Sequence, residues 1–283
     1  MNILTFDIED WWVYDYYSIG NKSDYLPRLN NYLDEILSVL ELKGMQATFF
    51  CLGEVAANNP EVIRKIDKKG HQIGCHSYSH RFLGNSSPRE VGEDTRKAIN
   101  ILENIIGKKV TAYRAPAFSI MEKNKWVFEI LAKNGITHDC SIFPANRSFG
   151  GFPELKQQTP FIIKYDGIQV KEFPMSTTKL FGKEIGYSGG GYFRLFPYWK
   201  INSIVQNSNY VMTYFHIKDF DKEQIRKYGN FQGESGVFRY FKDYYGLNSN
   251  FSKFNKLVSD FNFISVEQAD EVINWGEVPI IQL

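Results

Sequence analysis

The chain has few histidines, few cysteines, almost no net charge and no long apolar run. Its 33 basic and 32 acidic residues leave a formal charge of +1, so no overall field draws it to nucleic acid or anionic lipid. No stretch approaches the roughly 18 consecutive apolar residues of a membrane span. The opening residues, Met1 to Asp7, lack the basic segment, apolar run and small-residue cleavage site of a secretory signal. Cys51, Cys75 and Cys140 are scattered and odd in number, a pattern of reduced thiols, and the expected location is the cytoplasm. No linker, low-complexity tract or fixed-period repeat interrupts the chain. What remains is 283 residues, 43% hydrophobic and 23% charged. That is ordinary globular usage, which excludes a disulfide-stapled miniprotein and a disordered chain. The surplus is aromatic: 17 Tyr, 23 Phe and 5 Trp. Such side chains serve as core, as a partner surface or as platforms for sugar rings, and composition does not choose among these.

Apolar strands and amphipathic helices alternate. Ile3 to Phe6 reads as a first strand. Leu26, Leu29, Leu33, Ile36, Leu37 and Leu40 follow at helical spacing, with Gly44 as the stop. Ala47 to Leu52 and Gln72 to Cys75 are the next strands, separated by a helix opened by Asn59-Pro60. Ser87 to Glu90 has capping-box spacing and opens a helix that ends at Gly107. A strand at Val110 to Tyr113 and a helix at Lys125 to Asn134 follow, and Gly135 to His138 leads into a fifth strand. The rhythm weakens between 146 and 191 and resumes with a helix after Pro197, strands at Tyr210 to Phe215 and Phe263 to Val266, and a last helix near Gln268 to Asn274. Short strand–helix–strand intervals predict an α/β fold with a parallel sheet closed into a barrel. The expected organisation is one domain over 1–283 with an irregular insertion around 146–191.

Chemistry in α/β barrels gathers at the C-terminal ends of strands, and four clusters fall there. Asp7-Ile8-Glu9-Asp10 puts three carboxylates in four residues, which repel unless a cation or arginine neutralises them. His76 and His80, four apart, can present two imidazoles to one divalent cation if the residues between make a helical turn. Arg114, in Tyr113 to Phe118, can hold an acid of the first strand ionised. His216 ends a late apolar strand, where it is either a packed core histidine or a general acid. His71 and His138 precede strands and have only structural readings.

Taken in order, the segments TFDIED, CHSYSH, YRAPAF, HDCS and YFH resemble the five motifs of the polysaccharide deacetylases, the NodB-homology proteins of carbohydrate esterase family four. The subtype that the chain resembles is the exopolysaccharide- and O-antigen-associated one, with its D-x-E-D first motif and a GGGYFRL segment, here Gly189 to Leu195. The resemblance implies a distorted (β/α)7 barrel in which Asp7 is the catalytic base and His76 and His80 are metal ligands. It makes Arg114 the residue that orients the base, His216 the acid that protonates the leaving amine, and Asp139 the buried carboxylate that orients His216. Ile8 separates acids that are adjacent in the family, so the third ligand lies between Asp10, slightly favoured, and Glu9, which strand alternation puts on the face of Asp7. Tyr214 stands where the family has leucine, and the fourth motif lacks its tryptophan. Ile142, Phe143 or Tyr214 is then expected to line the acetyl pocket. Trp11, Pro116, Tyr192 and Arg194 are the expected sugar-binding residues, and Trp11, Trp12, Tyr14, Tyr16 and Tyr17 form either a stacking wall or a packed loop.

The implied activity is removal of N-acetyl groups from an acetamido sugar of a cell-surface polysaccharide or its precursor. The implied cofactor is a divalent metal, zinc first, with manganese, iron, cobalt or nickel as alternatives. A carbohydrate is the expected partner, without nucleic acid or membrane span. The competing readings are an allantoinase-like amidohydrolase on the same fold and a glycan-binding module without turnover.

Overall fold

A computed structural model describes residues 1–11, 26–147, 150–226 and 236–283. The first half alternates strand and helix: β1 (Asn2–Ile3), β2 (Thr5–Ile8), α1 (Leu29–Lys43), β3 (Thr48–Cys51), α2 (Gly53–Asn58), α3 (Pro60–Lys68), β4 (Gln72–Cys75), α4 (Pro88–Ile106), β5 (Ala112–Tyr113), α5 (Val127–Lys133) and β6 (His138–Asp139). Two hairpins follow, β7 (Phe161–Tyr165) with β8 (Ile168–Glu172) and β9 (Thr177–Leu180) with β10 (Lys183–Gly186). The chain continues through α6 (Gly190–Leu195), α7 (Tyr198–Gln206), β11 (Val211–Met212), β12 (Phe215–His216), α8 (Gly236–Tyr244), α9 (Leu247–Asp260), α10 (Val266–Val272) and β13 (Ile280–Gln282).

Local chemistry accounts for the boundaries. Gly44 ends α1 with φ 62°, a left-handed conformation that glycine adopts at no steric cost. Ser87 and Glu90 form the reciprocal capping box at the start of α4. Pro60 takes the first turn of α3, but the Asn59 side chain makes no capping bond, contrary to the expectation from the pair. The predicted strand 210–215 is interrupted at Thr213 and Tyr214, and the strand expected near Phe263 is reduced to a single bridge between Ile3 and Ile264.

In the main sheet β12, β2, β3, β4, β5, β6 and β8 lie side by side and parallel, with β7 and β13 continuing beyond β8. Seven neighbouring parallel strands fit the expected sevenfold α/β architecture. The stretch expected to be irregular supplies the seventh strand, β8. Side chains bridge the segment after β8 to β11: Met212 N–H donates to Ser176 Oγ at 2.8 Å, and Tyr210 Oη donates to the Pro174 carbonyl at 2.9 Å. β2 and β3 are buried along their whole length, as parallel strands covered on both faces must be. Much of the aromatic surplus is core: Phe6 stacks on Phe49 with ring centroids 4.9 Å apart, and Phe254 packs edge-on against Phe6, Phe215 and Phe220.

Candidate active site

Parallel strands place their C-terminal ends on one rim, and the candidate residues meet there. Asp7 on β2 is the register partner of His216 on β12. Arg114, just beyond β5, is fully buried. Its Nη1 donates to Asp7 Oδ1 at 2.8 Å and to Thr5 Oγ1 at 2.7 Å, and its Nε donates to the Cys140 carbonyl at 3.3 Å. The guanidinium lies 4.3 Å above the Phe50 ring. Three directed bonds and an aromatic face fix the guanidinium, so Asp7 has a compensating charge in a place where an isolated carboxylate is costly.

Past β2 the chain keeps its alternation for one more turn of the pleat. Glu9 therefore points to the same side as Asp7, and one ligand atom each of Glu9, His76 and His80 lies within 4.8 Å of the other two. Glu9 Oε2 is 2.8 Å from His80 Nε2 and 3.6 Å from His76 Nε2. Asp10 turns back on the chain, its Oδ1 accepting from Trp11 N–H at 2.7 Å, which corrects the preference for Asp10 as third ligand. The loop that carries the histidines is no helical turn either. Ser77 and His80 have φ of 65° and 55°, a region that non-glycine residues enter only when their surroundings hold them there. Asp94 of α4 does this by accepting from Tyr78 N–H at 2.6 Å and Ser79 N–H at 3.2 Å, while Ser77 Oγ accepts from His80 N–H at 3.0 Å.

The donor set fits a divalent cation. His76 Nδ1 bonds the Arg114 carbonyl at 2.8 Å. A carbonyl only accepts, so Nδ1 holds the proton and the Nε2 lone pair faces Glu9. Glu9 Oε2 is buried without a hydrogen-bond partner, as a ligand oxygen would be. Burial opposes ionisation of Glu9, yet Lys218, His80, His216 and His76 outweigh it and hold the carboxyl well below the usual range. Two imidazoles and one carboxylate leave further positions for substrate and water, as catalysis requires.

His216 places Nε2 at 3.7 Å from Asp7 Oδ2 and 3.5 Å from Glu9 Oε1. Its orienting carboxylate is Asp219, three residues on, whose Oδ2 accepts from the His216 backbone N–H at 2.9 Å and lies 3.1 Å from Nδ1. Burial works against the Asp219 charge, but His216 and Arg194 hold its carboxyl down at about 2. Asp139, expected in that role, instead accepts from Ser141 Oγ at 2.6 Å. Arg194 is no sugar ligand: it is buried, donates to the Lys242 and Asp243 carbonyls at 2.7 Å, and stands 3.6 Å from Asp219 Oδ1. Gly189 serves packing, since a Cβ there would lie 1.8 Å from the Tyr214 carbonyl oxygen. Gly189 thereby closely approaches the backbone just before the strand that carries His216.

Trp11 is likewise packed, stacked on Tyr244 at 5.4 Å with its indole N–H donating to Asp221 at 3.0 Å. The rest of the proposed stacking wall, Trp12, Tyr14, Tyr16 and Tyr17, lies outside the described residues. Pro116 is buried and opens a turn in which Ala117 and Phe118 take positive φ. Tyr192 is 39% exposed. Tyr214, Phe143 and Phe118 form an aromatic cluster, with the Tyr214 ring 6.3 Å from that of His216. The sequence reading missed Asp219, Lys218 and Thr5. For Asp219 there was a local signal, an acid three residues past the histidine, the spacing of a cap.

The polysaccharide deacetylase family matches residues 3–138, and a domain of unknown function, DUF3473, matches residues 140–271. A peptidoglycan-N-acetylglucosamine deacetylase of Bacillus cereus is 35% identical over 96 residues, 34% of this chain and 35% of that protein. A chitin deacetylase of Pestalotiopsis sp. is 33% identical over 91 residues, 31% of this chain and 30% of that protein. The chain thus spans about a third of the length of these curated relatives. A solved polysaccharide deacetylase-type protein from Mycobacterium smegmatis covers 100% of this chain and 92% of its own length with a TM-score of 0.63 at 17% identity, which shows a shared fold. Asp7, Glu9, His76, His80 and Arg114 lie within the first matched segment, and His216, Asp219 and Arg194 within the second. Residues 3–138 match the polysaccharide deacetylase family.

Proposed function

We propose that the protein is a metal-dependent N-deacetylase acting on an acetamido sugar of a cell-surface polysaccharide or its precursor. The observation that carries this reading is the buried grouping of Asp7, ion-paired to Arg114, with the Glu9–His76–His80 cluster and the His216–Asp219 pair. The matched peptidoglycan and chitin deacetylases support the substrate class. Glu9, His76 and His80 would hold the cation, with zinc the first choice for two imidazoles and a carboxylate. A divalent cation supplies Lewis-acid activation of the amide carbonyl and of the attacking water. Asp7, ion-paired to Arg114, takes the proton of that water. His216, with Nδ1 turned to Asp219, has Nε2 free to deliver a proton to the departing amine. Free amino sugar and acetate are the products. Three buried, unpaired thiols support a cytoplasmic setting. Among the described residues no helix is long and apolar enough to cross a membrane.

The test is acetate release from N-acetylglucosamine oligomers, peptidoglycan fragments and nucleotide-linked N-acetyl sugars. The expected result is activity lost on chelation and regained with zinc, and a fall of at least about 100-fold in His216→Ala and Asp7→Asn. Full activity in both folded variants, or turnover of small ureides alone, would overturn it.

A further inference from the structure

The Asp139 carboxylate does not meet His216, yet it is linked to the site by another route. The Arg114 carbonyl that accepts from His76 Nδ1 at 2.8 Å belongs to the same peptide group as the Ala115 N–H. That N–H donates to Ser141 Oγ at 2.8 Å, and Ser141 Oγ donates to Asp139 Oδ1 at 2.6 Å. Every link runs the same way, from imidazole to peptide to hydroxyl to carboxylate. His76, Arg114, Ala115, Ser141 and Asp139 are each at most 2% exposed, so water does not short-circuit the chain. Same-sense hydrogen bonds in a low-dielectric interior polarise one another. An anion at the end draws the Ser141 proton, then the amide proton, then the His76 Nδ1 proton, and leaves more electron density on Nε2.

We propose that Asp139, acting through Ser141 and the Arg114–Ala115 peptide, is a positioning residue for His76: it fixes the tautomer with its lone pair on Nε2 and strengthens that nitrogen as a metal ligand. The inference rests on the metal-dependent reading above. Glu172 at the end of β8 completes the arrangement. Its Oε1 accepts from Ile142 N–H at 3.1 Å, while Oε2 is buried without a donor. Burial and the neighbouring Asp139 push the Glu172 carboxyl well above its usual range, further than burial moves Asp139, so of the two acids Glu172 is the one that more readily holds a proton.

The test compares the full chain with its Ser141→Ala, Ser141→Thr and Asp139→Asn variants by two measurements. One is the nitrogen-15 and proton resonance of His76 Nδ1–H in metal-free protein, assigned by its loss in His76→Gln. The other is the zinc dissociation constant from competition with a chromophoric chelator. Ser141→Ala is expected to move the resonance upfield and weaken zinc binding about 10-fold or more. Ser141→Thr, which keeps the hydroxyl, restores both, and Asp139→Asn, which keeps an acceptor but no charge, falls between. A folded Ser141→Ala protein with an unmoved resonance and unchanged affinity would overturn the proposal, as would equal losses in the alanine and threonine variants. If Ser141→Ala does not fold, Asp139→Asn is read by the same two measurements. A wild-type chain that binds no zinc overturns the metal reading and the ligand-strengthening claim with it, whereas a resonance indifferent to Ser141 overturns the relay itself.

Discussion

Arg114 and Asp7 are a buried pair, and the two halves of such a pair are not equally dispensable. Arg114→Met removes the guanidinium from between Asp7, Thr5 and the Cys140 carbonyl and leaves an uncompensated carboxylate. The expected cost is about 3–5 kcal/mol in urea denaturation. Adding Asp7→Asn to Arg114→Met should recover part of this stability, because the charge that lacked a partner is gone. Additive losses would mean that Arg114 stabilises by packing on Phe50 rather than by charge. Neither variant should release acetate, since the first lacks one half of the Asp7–Arg114 pair and the second lacks both.

The glycine segment and β12 act as one unit. Gly189 bridges to Tyr214, whose neighbour Phe215 pairs with Phe6 while His216 pairs with Asp7. A methyl group at 189 meets backbone oxygen, which cannot swing away as a side chain can, so β12 itself must move. Gly189→Ala is expected to destabilise by at least about 3 kcal/mol and to lower turnover by displacing His216. Gly191→Ala is the control: the nearest atom to its added Cβ is 3.7 Å away, and in the first turn of α6 alanine is favoured by less than about 1 kcal/mol. Thermal unfolding of the two variants checks the contrast. Equal stability at both positions would mean that the segment relaxes freely and has no hold on the histidine.

Across the whole molecule, two buried carboxyls are expected to shape stability as a function of pH in the metal-free protein. Asp219 is depressed from 3.8 to about 2 in the fold. Its contribution, about 2 kcal/mol, is present above its unfolded value and lost as pH falls through about 2. The gap between wild type and Asp219→Asn should therefore close in acid. Glu172 is shifted the other way: burial and the neighbouring Asp139 raise it well above its usual range. A raised carboxyl contributes stability below its unfolded value and loses it as pH rises through the folded one. Glu172→Gln, whose amide can still donate to Asp139, should thus gain on wild type steadily from about pH 5 to pH 8. Melting temperatures across that range are the measurement, and a constant offset would show that Glu172 is ionised in the fold.

Local pattern settled much of this protein. Hydrophobic periodicity and caps are written within a few residues, so α1, α4, β3 and β4 were legible, as were Asp7, His76, His80, Arg114 and His216 at strand ends. Partner choice across long separations was not. Whether Glu9 or Asp10 joins the histidines depends on whether the chain stays extended past Ile8, and Glu9 is held there by Lys218, 209 residues away. A linear reading gives His216 the partner Asp139 and passes over Asp219. Only the packed sheet shows Asp139 claimed by Ser141, while the turn after β12 returns Asp219 to the imidazole. Arg194, an expected sugar-binding residue, is buried by folding against α8 and Asp219. The sequence alone determined that Asp7, His76, His80, Arg114 and His216 sit at or just past strand ends. The tertiary structure decided which carboxylate serves which imidazole, because hydrogen-bond partners are selected by angstrom-scale proximity that spacing along a chain does not encode.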